Sequence, residues 1–155
     1  MGLDTSHDCW HGAYSAFMRW REKIADAAGL PPLQLMEGFY EPLFHSNIKN
    51  TEFPTLFHGI HDGKDEYLKK IDSQLPIKWE CLKPSPLFFL LHHSDCDGNI
   101  PWSKCRKIAN ELEKLISKLP DEDDGGHIGN WREKTQKFVN GLRLAYSKKE
   151  NVRFF

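Results

Sequence analysis

The apolar run Leu87-Phe88-Phe89-Leu90-Leu91 gives way at once to His92-His93-Ser94-Asp95-Cys96-Asp97-Gly98, and this junction constrains the fold more than any other stretch. A short, unbroken apolar run reads as a strand buried on both faces. Imidazoles, carboxylates and a thiol follow it, and a helix is expected from near Pro101. Open α/β architectures hold ligands in such strand-to-helix turns, because the scaffold is rigid and loop N–H groups are available. The segment is therefore read as one wall of a binding or catalytic site.

With 155 residues the chain is expected to be a single domain, 1–155, built on one core. Its 21 basic and 22 acidic side chains nearly cancel, so no basic field marks duplex nucleic acid as a partner. The longest apolar run is too short to cross a bilayer and no signal-peptide core is present, so no membrane partner is expected. Met1-Gly2-Leu3-Asp4-Thr5-Ser6 does match a myristoylation pattern formally. Cys9, Cys81, Cys96 and Cys105 lack the paired spacing of structural zinc sites, which points to free thiols and a cytoplasmic location.

Met1 to Thr5 is read as a short strand. Tyr14, Phe17, Ile24, Ala25 and Ala28 recur at helical spacing, predicting a helix from Trp10 to Ala28 that Gly29 and Pro31-Pro32 end. Arg19 and Arg21 fall on its solvated side. A short helix is expected at Leu33–Glu37 and an alternating strand at Gln74–Leu82, within a loop-rich insertion at about 31–86. Pro101, Cys105, Ile108, Leu112, Leu115 and Leu119 trace a second main helix. Trp131, Thr135, Phe138, Leu142 and Ala145 trace a third, ending at the basic pair Lys148-Lys149. Val152–Phe155 reads as an edge strand. The fold expected is α+β, with three main helices packed around a small mixed sheet.

Three expected helix starts share a composition: Thr5–Ser15, His93–Asn99 and Gly125–Trp131. Each offers Gly and His where a helix N-terminus leaves N–H groups unpaired, a setting for phosphate or carboxylate. Ser, Asp and Gly also serve as plain helix caps, but capping does not call for a repeated histidine. Converging loops would make a pocket in which Trp10, Tyr14 and Trp131 stack on a base. His7, His11 and His127, with the helix N-terminal N–H groups, would contact phosphates, Asp95 and Asp97 would accept from ribose hydroxyls, and His93 would line the same pocket. Tyr14 and Trp131 also lie on apolar helical stripes, so a core role competes for both.

A metal centre uses the same residues differently. His7 and His11, four apart, would share a helical face, with Asp4, His93, Asp95, Asp97 and His127 completing a hydrolytic site. No HExxH signature supports it. Asp95–Ile100 resembles the middle of a calcium loop, but His93 and Lys104 occupy the two end positions that need carboxylates. A cysteine nucleophile, Cys9 or Cys96, is a further option. There is no Ser elbow, P-loop or GxGxxG. The metal identity is left open and no cofactor is assigned.

The opening Met1-Gly2-Leu3-Asp4-Thr5-Ser6-His7-Asp8-Cys9-Trp10-His11-Gly12-Ala13-Tyr14-Ser15-Ala16-Phe17, with His93–Gly98 and Gly126–Trp131, resembles a family of small phage and prophage proteins. The resemblance covers both ends of the chain and the motif between them, but not 31–86. It implies by setting a counter-defence role: sequestration of a nucleotide-derived immune signal, of the cyclic ADP-ribose or cyclic dinucleotide type, in an infected host cell. It also implies a homo-oligomer, and a binder in preference to an enzyme. A metal-dependent phosphodiesterase and an inhibitor of a host protein are the alternatives.

Overall fold

The computed structural model describes residues 2–40, 76–122 and 129–155. The chain divides into two compact units, Met1–Ile24 with Ser85–Phe155, and Ala25–Pro84. The fold is α+β. Strand β1 (Gly2–Asp4) pairs antiparallel with β2 (His11–Ala13), and α1 (Tyr14–Ala27) follows directly. After α2 (Leu87–Leu91) come β3 (Asn99–Ile100), α3 (Trp102–Leu115), α4 (Trp131–Lys148) and β4 (Val152–Arg153). No helix among the described residues is long and apolar enough to cross a membrane.

Two expectations about the helices are corrected. Leu87–Leu91 is helical, because only Leu87, Leu90 and Leu91 are buried, at the i, i+3, i+4 spacing of one helical face. Ser85 starts the turn, its Oγ accepting the Leu87 N–H at 3.2 Å and its carbonyl accepting the Phe88 N–H at 3.2 Å. Five apolar residues are too few for periodicity to separate helix from strand. The first helix begins at Tyr14, not Trp10, since His11–Ala13 is spent on pairing with Gly2–Asp4.

The two ribbons of the first unit join through Val152–Phe155. Phe154 donates its N–H to Gly98 O at 3.0 Å, on the β3 side. Phe155 and Asp4 exchange both backbone bonds, at 2.9 and 3.0 Å, on the β1 side. Successive residues thus bond to opposite neighbours, as they must within a sheet. The strands form two separate antiparallel pairs, β1-β2 and β3-β4, linked by an isolated antiparallel bridge between Thr5 and Phe154, and β4 is an edge strand as expected. In the second unit the single described pairing is a parallel bridge between Met36 and Ile77, beside the 3-10 turns Leu33–Leu35 and Trp79–Cys81. The Gln74–Leu82 strand expectation reduces to that bridge, with Gln74 and Leu75 outside the described residues.

Leu3, Thr5, Ile100, Val152 and Phe154 turn one sheet face inward; all are buried. An aromatic cluster fills the core, with Trp20 and Phe138 rings 4.7 Å apart and Trp10 and Phe17 rings 5.2 Å apart. Within it Trp20 Nε1 donates to Thr135 Oγ1 at 2.8 Å, and Thr135 Oγ1 donates to Trp131 O at 2.8 Å. Asn130 caps α4, accepting the Arg132 and Glu133 N–H groups at 2.9 and 3.3 Å.

The turn Ser6–Asp8 lies on α4 at Gly141, where an added Cβ would stand 2.5 Å from Cys9 Sγ and 2.7 Å from His7 O. Gly to Ala inside a helix ordinarily stabilises by about 1 kcal/mol. Here G141A is expected to destabilise by about 1–3 kcal/mol through overpacking. That is a loss of roughly 2–4 °C in Tm per kcal/mol for a chain of this size. An unchanged or raised Tm would show that the turn does not rest on the helix.

Candidate functional site

The outward face of the sheet follows from the same alternation that buries Leu3 and Thr5. Asp4 lies opposite His11 in the register and beside Phe155, and Asn99 lies opposite Arg153. All five side chains point away from the core. Phe155 is 64% exposed, a large apolar ring open to solvent just past β4. His11 Nδ1 is hydrogen-bonded to Asp4 Oδ1 next to it. This gives one surface with a planar apolar platform, a guanidinium, an imidazole and a carboxylate.

At the end of β1 stands a second group. His7 Nε2 is 2.7 Å from Glu150 Oε2, and His7 Nδ1 is 2.9 Å from Ser6 Oγ. A carboxylate can only accept, so in the neutral ring Nε2 carries the proton and Nδ1 accepts from the serine hydroxyl. Ser6 Oγ in turn accepts the Arg153 N–H at 2.8 Å. The His7 side chain is 9% exposed, against 57% for Glu150. The backbone is strained here, with φ of 59° at His7 and 54° at Asp8. Left-handed conformations at two successive non-glycine residues cost on the order of 1–3 kcal/mol each, and the surrounding packing must hold them. Lys137 pairs with Asp8 at 3.0 Å across the surface.

The His93 loop is built from the opposite edge of β4. Its ring lies 4.3 Å from Phe154, and Nδ1 approaches Ser94 O at 2.6 Å. Gly98, at φ +91°, crosses this ring so closely that a Cβ would meet Cε1 at 3.3 Å. Arg21 corrects the expectation of a solvated side chain: it is 2% exposed. Its Nη1 donates to Leu91 O at 3.3 Å and to His93 O at 2.6 Å, satisfying carbonyls at the end of α2. Asp95 stands 3.9 Å from Arg21 Nη2, and Asp97 is exposed.

The structure therefore redistributes the residues singled out in the sequence. Trp10 and Trp131 are 2% and 1% exposed and belong to the core, so neither is a stacking platform. Tyr14 is half-buried at the start of α1. His7 and His11 share no helical face, because one sits in a turn and the other on β2; each faces its own carboxylate. The first two loops approach one strand, β4, from its two edges. His127 lies outside the described residues. Among the described residues no three His, Cys, Asp or Glu side chains gather as a metal ion would need. Ser6, Glu150, Arg153 and Phe155 were not singled out; only an edge-strand reading of Val152–Phe155 hinted at the last two.

Cys9, one of the two cysteine options, holds no activated thiol. Burial, then the neighbouring Cys105, pushes Cys9 from its ordinary 9.0 up to about 12. Burial pushes Cys105 up to about 11. Cys96 is exposed, and its Sγ meets Ser94 Oγ at 3.4 Å.

No family model, no curated protein and no solved structure matches this chain.

A thiol reagent applied to the folded protein at about pH 8 is expected to titrate Cys81 and Cys96 quickly, and Cys9 and Cys105 only after denaturation. Both buried thiols have folded values raised above the ordinary 9.0, so their contribution to stability is complete below that value. It is lost as the pH rises from 9.0 through about 11 and 12. Thermal unfolding should therefore move to lower temperature across that window. Fast modification of Cys9 in the folded state, or a Tm flat across the window, would contradict this.

Proposed function

We propose that the protein binds a nucleotide-derived anionic signal on the outward face of its sheet and withholds it from a host effector. The observation that carries this reading is the exposed Phe155 ring, flanked on the same face by Arg153 and by the Asp4–His11 pair. A solvent-facing ring on a sheet is a platform for a base, worth about 1–3 kcal/mol per base stacked. A guanidinium is the side chain best matched to a phosphate, which it can hold bidentately. Asp4 is placed to accept from ribose hydroxyls.

The resemblance to phage and prophage proteins supplies the setting, the cytoplasm of an infected host cell. It also supplies the signal class, cyclic ADP-ribose isomers or cyclic dinucleotides, and the expectation of a homo-oligomer. In this reading the stacking residue is Phe155, in place of the buried Trp10 and Trp131. The protein sequesters its ligand and returns it unchanged.

The test is a thermal-shift titration with these nucleotides, followed by heat denaturation and mass analysis of what is released. Ligand bound to the folded state alone stabilises it by RT ln(1 + L/Kd), where L is the free ligand concentration, so Tm rises with ligand concentration. Release of the intact nucleotide is expected. F155A should weaken binding about 10-fold, as loss of one stacked base predicts. R153Q should weaken binding and flatten its salt dependence. No Tm shift with any nucleotide from an infected-cell extract, or wild-type affinity in both variants, would remove the basis of the reading.

A further inference from the structure

The relay at the end of β1 is arranged for chemistry that ligand binding does not use. We propose that Ser6 is a nucleophile toward carboxylic esters, activated by His7 with Glu150 behind it.

Hydrogen-bond directions assign the three roles. Glu150 Oε2, 2.7 Å from His7 Nε2, fixes the ring proton on that nitrogen. Nδ1 is left as an acceptor 2.9 Å from Ser6 Oγ, so the hydroxyl proton points at a base. The Arg153 N–H, at 2.8 Å, takes one of the two serine lone pairs and fixes the oxygen in place. The other lone pair is available for attack. This is the acid–base–nucleophile order of a hydrolytic triad, with the two imidazole nitrogens exchanging their usual partners. A tie that merely held the turn to β4 would need the Arg153–Ser6 bond alone. The ring, 9% exposed, has instead been buried between a hydroxyl and an acid by a backbone strained at two successive residues.

In the step proposed, Ser6 Oγ bonds to the carbonyl carbon of the ester and its proton passes to His7 Nδ1. The imidazolium so formed faces the Glu150 carboxylate. Arg153, whose backbone N–H holds Ser6 Oγ and whose side chain is exposed, is the cation of this segment that would serve the substrate oxyanion. Collapse breaks the carbon–oxygen bond to the leaving alcohol, which takes the proton back from Nδ1. Water then repeats the sequence on the acyl-serine, releasing the acid and restoring the hydroxyl.

The experiment uses the intact chain, a fluorophosphonate probe and p-nitrophenyl acetate, so it does not depend on any nucleotide ligand. One probe adduct is expected, mapped to the peptide carrying Ser6, together with release of p-nitrophenol. S6A should lose both. H7Q should slow labelling about 100-fold, the usual order for loss of a general base. E150Q changes a side chain 57% exposed and so should leave the fold intact. It should slow labelling about 10-fold, with a changed pH profile. An unlabelled wild-type protein overturns the proposal. So does labelling of E150Q and H7Q at the wild-type rate, since any exposed serine would give that result. Failure here leaves the nucleotide titration unaffected, and failure of that titration leaves the labelling unaffected.

Discussion

The turn Ser6–Asp8 can rest on α4 only where that helix has no side chain, and Gly141 is that place. With Cys9 Sγ and His7 O both within 2.7 Å of where a Cβ would stand, the approach is closer than any other residue would permit. Much of the first unit follows from it. The chain leaves β1, is forced through two left-handed residues, and returns as β2. This path puts Trp10 into the aromatic core and His11 on the outward face beside Asp4. It also brings His7 to the C-terminal end of the same helix, within reach of Glu150.

The second organising element is the extended segment Val152–Phe155, which opens with β4. Lys149, left-handed at φ 56°, ends α4 and turns the chain back. Phe154 then bonds to Gly98 and Phe155 to Asp4, so one strand joins the N-terminal hairpin to the loop after α2. Its inward residues, Val152 and Phe154, complete the core, and Phe154 forms the floor under His93. Its outward residues, Arg153 and Phe155, are those offered to a ligand. Core and surface roles thus alternate residue by residue along four positions, as a strand with one buried face requires.

The sequence was legible where a stripe is long. The helices at 102–115 and 131–148 follow from Ile108, Leu112, Phe138 and Leu142 at helical spacing, with Pro101 and Asn130 at their starts. It misled where a short segment admits two periods. Leu87–Leu91 satisfies a strand and one helical turn equally, and the decision rests on Ser85 and Arg21, whose partners are fixed only in three dimensions. Trp10 reads as a helix residue until its neighbours His11–Ala13 find Gly2–Asp4. The relay was illegible for a simpler reason. His7 and Glu150 are 143 positions apart, and no local pattern signals that the turn Ser6–Asp8 meets a residue just past the cap of a distant helix. The imidazoles drew notice as a composition, while their partners, an ordinary Ser and an ordinary Glu, did not.

The orientation of the His7 ring depends on the seating at Gly141, the return of β4 and the position of Glu150 together. Long-range proton–nitrogen NMR of labelled protein, at a pH where the ring is neutral, reads it directly. The account predicts a single tautomer with the proton on Nε2 and an acceptor Nδ1, together with a slowly exchanging Ser6 hydroxyl. A ring protonated on Nδ1, or a fast average of both tautomers, would contradict it.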